Sequence, residues 1–151
     1  MPSGKVCRIF ISPEAGQRMQ EVNRVNAIEQ LGLEGDRYAG DKGAWSKSRR
    51  KVTRHVSLIE QEAIDRGWPF LAEDTRRNIV VSNFPLNDLI GKEFTVGPVR
   101  MKGIELCDPC QRPSKLSGKT GFEQAFENHG GLRAEILTTG SIRVGDELIC
   151  L

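Results

Sequence analysis

The sequence predicts a mainly β fold with a few short helices, and three observations carry that reading. Short β-branched runs recur along the chain at Lys5 to Ile11, His55 to Ile59, Ile79 to Val81, Leu132 to Leu137 and Ile142 to Ile149. Runs of this kind bounded by turn residues are what strands look like in sequence. Phe94, Val96, Val99 and Met101 flank Gly97-Pro98, a pattern that reads as a hairpin. Sixteen glycines and seven prolines are spread along the chain, as tight turns between many strands require.

A chain of 151 residues is the size of one domain, read as spanning 1–151, and can bury a core without disulfide or metal. Twenty-two basic and 20 acidic residues leave a net charge of +2, which predicts neither general nucleic-acid binding nor attraction to a membrane surface. Four cysteines at irregular spacing do not resemble a secreted disulfide framework, and Met1 to Ile11 has no signal-peptide pattern. No apolar run reaches the ~20 residues needed to cross a bilayer. The expected compartment is a reducing cytoplasm.

Taken in order, Lys5 to Ile11 is a first strand ending at Ser12-Pro13. From Gly16 to Asn26, Met19, Val22 and Val25 recur three apart, which fits a helical turn or an irregular strand equally. Gly32 to Asp41 holds three glycines around Asp36 and Arg37; its composition fits a plain connection, or a loop bringing backbone close to a ligand. Lys47, Arg49, Arg50, Lys51 and Arg54 form a basic run without interleaved aromatic residues, which suits a rim attracting an anion better than a base-stacking surface. His55 opens a strand, as a satisfied structural histidine, and Glu60 to Arg66 reads as a short helix stopped by Gly67.

Arg76, Arg77 and Asn78 stand at the entrance of the strand Ile79 to Val81. Arginines there are often only exposed, but the guanidinium fork also matches phosphate and pterin acceptors. Ser117-Gly118-Lys119-Thr120 imitates the end of a P-loop, yet Pro113 stands where that motif needs glycine, which excludes nucleotide binding there. Phe122, Ala125 and Phe126 suggest a short helix ended by Gly130-Gly131, and Gly145-Asp146 a turn between the last strands.

The stretch Glu105 to Pro113 places Cys107 and Cys110 three residues apart on a turn directly after a strand. Zinc would need a second pair of ligands, and Cys7, Cys150, His55 and His129 are scattered singly. A thioredoxin-type dithiol would open a helix, and Pro113 argues against one beginning there. Two readings stay open: one working thiolate supported by a second cysteine, and a pair of buried small hydrophobes.

Five fragments in order resemble the MOSC domain, the C-terminal domain of molybdenum-cofactor sulfurases. They are Gly-Leu-Glu-Gly-Asp-Arg at 32 to 37, Val-Ser-Leu-Ile-Glu at 56 to 60, Arg-Arg-Asn-Ile-Val-Val at 76 to 81, Leu-Cys-Asp-Pro-Cys at 106 to 110 and Ile-Arg-Val-Gly-Asp at 142 to 146. The resemblance implies a β-barrel with a few short helices. It assigns Cys110 as molybdenum ligand or persulfide sulfur carrier with Cys107 beside it, and Asp36, Arg37, Arg76 and Asn78 as the cradle of the molybdopterin phosphate. A soft thiolate and a set of arginines suit those tasks. Asp108 or Pro109 stands where some relatives carry a side-chain donor. The implied partners are a pyridoxal-phosphate-dependent cysteine desulfurase or a molybdoenzyme. The chain lacks the larger N-terminal domain of the sulfurases and amidoxime reducers, so the expected role is a cofactor-binding or carrier module. The alternative is a small molybdenum-dependent oxidoreductase component that reduces N-hydroxylated compounds with a separate electron donor. Either way Arg37, Arg76 and Asn78 should converge near Cys110.

Overall fold

The computed structural model describes residues 3–40 and 55–151, so Asp41 and the basic run from Lys47 to Arg54 lie outside the described residues. The chain enters on β1 (Ser3–Ile11), β2 (Gln20–Val22), β3 (Arg24–Ile28) and β4 (Gly32–Leu33). The segment from Gly16 to Asn26, open between helix and strand in the sequence, is irregular through Met19 and strand from Gln20 on, broken at Asn23. Val22 and Val25 stand three apart because they lie on either side of Asn23 in different ladders, β2 on β1 and β3 on β10, while Met19 precedes β2 and packs into the outer cluster. Then come β5 (Val56–Glu60), α1 (Gln61–Arg66), β6 (Ile79–Ser82), β7 (Glu93–Val96) and β8 (Val99–Leu106). The chain closes with α2 (Arg112–Ser117), α3 (Phe122–Ala125), β9 (Leu132–Ile136), β10 (Gly140–Arg143) and β11 (Glu147–Cys150).

The main sheet runs β11-β7-β8-β9-β5-β6-β1-β2, and β11 also pairs with β1. Among the described residues, seven strands thus close into a barrel, with β2 attached outside the ring to β1. A ring with an odd number of strands cannot alternate direction all the way round, so one neighbouring pair must be parallel. That pair is β5 and β6, with Leu58 opposite Ile79 and Glu60 opposite Val81. Parallel neighbours need a crossover rather than a hairpin. Here it runs through α1 and a 3-10 turn, Glu73–Thr75, and it delivers Arg76 to the start of β6.

Alternation along the strands divides the core in two. Val56, Leu58, Ile79 and Val81 point into the barrel, while Ile59 and Val80 point outward beneath α1, α3 and Phe70. Burial on both faces explains why Ile79-Val80-Val81 is an unbroken apolar run. A bulge in β1 between Val6 and Arg8 shifts the phase, so that Val6 and Ile9 both face the interior and Phe10 the outer layer. Cys7 sits at that bulge, half-buried against the outer cluster. Phe122 stacks on Phe126 at 4.6 Å and meets Phe70 edge-on at 5.2 Å, which seats α3 on the crossover side of the barrel.

One sequence expectation fails. A regular helix does begin just behind the cysteines: α2 starts at Arg112 with Pro113 in its first turn and ends at Gly118 in the left-handed conformation. Proline obstructs a helix interior, but in the first turn its missing N–H has no partner to lose and its fixed φ is already helical.

Candidate anion and thiol site

Arg76 closes the Glu73–Thr75 turn in the left-handed conformation, at φ 61° and ψ 24°, uncommon for a residue with a side chain. Its own N–H donates to the Glu73 carbonyl at 3.3 Å, and the preceding turn is braced by the Asp74 carboxylate, which accepts from Leu71 N–H at 2.9 Å and from Lys119 Nζ at 2.5 Å. This conformation sends a long cationic side chain inward, leaving it 8% exposed. Nη1 donates to the Gln17 carbonyl at 2.8 Å, while Nη2 is closed to solvent and reaches no acceptor among the described residues. Burial, then the neighbouring cations Arg37 and Arg112, push the Arg76 pKa down to about 10.

Asp36 and Arg37 form a buried ion pair beside it. One Asp36 carboxylate oxygen accepts from Ser12 N–H at 3.0 Å and from Arg37 Nη1 at 3.1 Å, and the other from Tyr38 N–H at 3.5 Å. Arg37 Nη2 donates to the Arg76 carbonyl at 3.3 Å, and its guanidinium lies over the Tyr38 ring, 4.9 Å from the centroid. The glycine-rich segment is thus more than a connection. It carries a neutral pair that ties the end of β1 to the backbone of Arg76.

Asn78 occupies a different position in the network. Its Oδ1 accepts from Ser57 N–H at 3.1 Å and Ser57 Oγ at 3.2 Å, and its Nδ2 donates to the Phe10 carbonyl at 3.1 Å. The amide is committed to joining β1, β5 and the start of β6, a bracket that aligns the strand from which Arg76 hangs. Arg77 is a bracket as well, its Nε donating to the Gly130 carbonyl at 2.6 Å.

The cysteine turn is held by the same neighbourhood. Cys107 N–H donates to the Gly131 carbonyl at 2.8 Å, and Gly130 lies so close that a Cβ would overlap the Cys107 carbonyl oxygen. Cys107 is buried and Cys110 half-buried, so of the two thiols Cys110 is the one open to a reaction partner. Two residues on, Arg112 opens α2, which packs on the Glu73–Thr75 turn and is tied there by Lys119 to Asp74. A Cβ built on Gly16 would lie 3.5 Å from Arg112 Nη2. Arg76 and Arg112 therefore reach adjacent residues of one loop, Gly16 and Gln17. Arg112 is not singled out by the sequence; its place two residues after Cys110 is the available signal, masked by Pro113, which resembles a helix breaker. In sequence Gly130 and Gly131 signal only a helix stop, and their close approach to Cys107 appears only in the fold.

The sequence profile of the MOSC domain matches residues 44–149, which is 106 of the 151 residues. The chain belongs to the MOSC family. Its fold is similar to that of the YuaD protein from Bacillus subtilis, at 18% identity and a TM-score of 0.79, covering 98% of this chain and 97% of that one. It is also similar to YiiM from Geobacillus stearothermophilus, at 14% identity and a TM-score of 0.72, covering 98% of this chain and 75% of that one. For YiiM from Escherichia coli the values are 18% identity and 0.66, with 100% and 70% covered. No curated protein matches the sequence. The MOSC barrel expected from the sequence is the fold observed. Among the described residues no helix is long and apolar enough to cross a membrane.

Proposed function

We propose that this MOSC domain is a molybdenum-cofactor binding or carrier module, in which Cys110 provides the thiolate and Arg76 and Arg112 hold the anionic end of the pterin. The observation that supports this reading most directly is Arg76 Nη2, a buried guanidinium donor with no acceptor among the described residues. An unpaired buried charge of that kind is costly to fold around, and a ligand oxyanion satisfies it. The residues fit the group: Arg37 is neutralised by Asp36, while Arg76 and Arg112 pair with no carboxylate among the described residues.

The protein's contribution is positional. Asp36 and Arg37 hold the Arg76 backbone, Asn78 aligns its strand, and Gly130-Gly131 seat the turn that presents Cys110. When bound, the cofactor supplies a redox-active metal that exchanges oxygen and sulfur ligands. Among the described residues no three His, Cys, Asp or Glu side chains form a metal-holding group, so the metal would have Cys110 as its protein ligand. The same thiolate serves if the cargo is sulfur. It attacks the terminal sulfur of a donor persulfide, the donor's own sulfur leaves as thiolate, and Cys110 keeps the transferred atom.

Native mass spectrometry of protein made in cells with an intact cofactor pathway tests the proposal. Bound cofactor supports the ligand role, and an adduct of about +32 Da, one sulfur atom, on Cys110 supports the carrier role. Protein that carries neither, and accepts neither in vitro, overturns both.

A further inference from the structure

Among the described residues, Arg112 makes no hydrogen bond comparable to those of Arg37 or Arg77, whose guanidinium groups bond to backbone carbonyls. It is half-buried at the head of α2, over the backbone of Gly16, next to the residue whose carbonyl receives Arg76 Nη1. Gly16 has φ +79°, so the loop already adopts a conformation suited to glycine where the arginine crosses it. Two cations thus converge on one short loop, and one of them keeps a buried donor without a partner among the described residues. Asp36 is the carboxylate facing Arg76, and it is already spent on Arg37 and two backbone N–H groups. Counting Asp36 against Arg37 leaves about two positive charges, those of Arg76 and Arg112, in a site where burial weakens solvent screening.

We infer that Arg112 is the specificity-determining residue of this site: with Arg76 it selects a dianionic tetrahedral oxyanion, such as the end of a phosphate monoester, over a monoanion of the same shape. The inference rests on the anion-holding part of the proposed function and goes beyond it in giving Arg112 the discriminating role and in naming the charge that is read. Cys110 lies two residues before Arg112 in sequence, immediately ahead of α2. Arg76 supplies the fixed donor and Arg112 the second charge. A ligand lacking the second negative charge leaves one of the two cations uncompensated, which is how the site discriminates.

Sulfate and perchlorate provide the test, because both are tetrahedral and they carry two and one negative charges. Titrations of each into the wild type, Arg112→Gln and Arg112→Lys are followed by calorimetry at constant pH and ionic strength. The wild type should bind sulfate about tenfold or more tightly than perchlorate, as expected when a second charge acts at short range in a poorly screened site. Arg112→Gln should shrink that ratio to about twofold, and Arg112→Lys should keep most of it because the charge is retained. Thermal unfolding confirms that each variant is folded before it is titrated. A wild type that does not distinguish the anions, or a folded Arg112→Gln protein with an unchanged ratio, overturns the inference. If the ratio is unchanged in Arg112→Gln while cofactor is still recovered on the wild type, the inference alone fails. If the ratio behaves as expected but neither cofactor nor sulfur adduct is ever found, the cofactor reading alone fails.

Discussion

Arg37 Nη2 donates to the backbone carbonyl of Arg76 across 3.3 Å, joining residues 39 apart in sequence. One arginine is therefore part of the support of the other, and their substitutions should behave oppositely. Arg37→Met strands the buried Asp36 carboxylate and should cost about 3 kcal/mol in urea unfolding, the range for breaking a buried pair. Arg76→Met removes a charge that burial penalises, and should change stability by less than about 1 kcal/mol while abolishing anion binding. Equal destabilisation by the two substitutions would contradict the division of roles.

Arg76→Lys keeps the charge and loses the two-pronged donor. If Nη2 meets a ligand oxygen while Nη1 stays on Gln17, cofactor or sulfate affinity should fall about tenfold, near the worth of one charge-assisted hydrogen bond. Calorimetry on the folded variant measures this, and an unchanged affinity would show that the orphaned donor is not used.

Asn78→Ala should act on the fold and not on the ligand. It leaves Ser57 N–H and the Phe10 carbonyl without their side-chain partners. The expected loss is about 2 kcal/mol of stability, with sulfate affinity of the folded protein within about twofold of wild type. A selective loss of affinity at unchanged stability would instead place Asn78 in the ligand cradle, as the family resemblance implies.

Gly130→Ala places a methyl against the Cys107 carbonyl and the Pro109 ring. Backbone cannot yield there without moving the cysteine turn, so the buried Cys107 should become open to alkylation, at a cost of about 1–3 kcal/mol in stability. Mass mapping after brief iodoacetamide treatment reads this directly, with Cys7 and Cys150 as internal controls.

His55 Nδ1 accepts from Ile136 N–H at 2.9 Å, which requires the unprotonated nitrogen. Burial lowers the histidine pKa below its ordinary 6.5, and Glu135 opposes that in part. The unfolded chain thus takes up the proton more readily than the folded protein. Stability from this group is complete above about pH 6.5 and declines as pH falls toward the lower folded value. His55→Asn keeps an acceptor without titrating, so its unfolding midpoint in urea should vary less than that of the wild type between about pH 7.5 and 5.

The strands were legible because β-branched alternation and turn residues act locally. Ile79-Val80-Val81, the Gly97-Pro98 hairpin and the helix ended by Gly67 all lie where nearest-neighbour chemistry places them. The cysteine turn after β8 was legible for the same reason, as was the family, from five short fragments in order. Tertiary structure alone decided how these parts meet. Closure of β11 on β1 brings the two ends of the chain into one ring, and its odd strand count forces the parallel crossover that delivers Arg76. Pro113 misled because its effect depends on whether it falls in a helix interior or a first turn, which packing of α2 against the Glu73–Thr75 turn settles. Arg76 and Arg112 look alike in sequence to any exposed arginine. What sets them apart is a carbonyl at Gln17, a glycine at 16 and a carboxylate already used by Arg37, each contributed by a distant segment. Pairings across such distances depend on the shape of the whole barrel, which no local preference encodes.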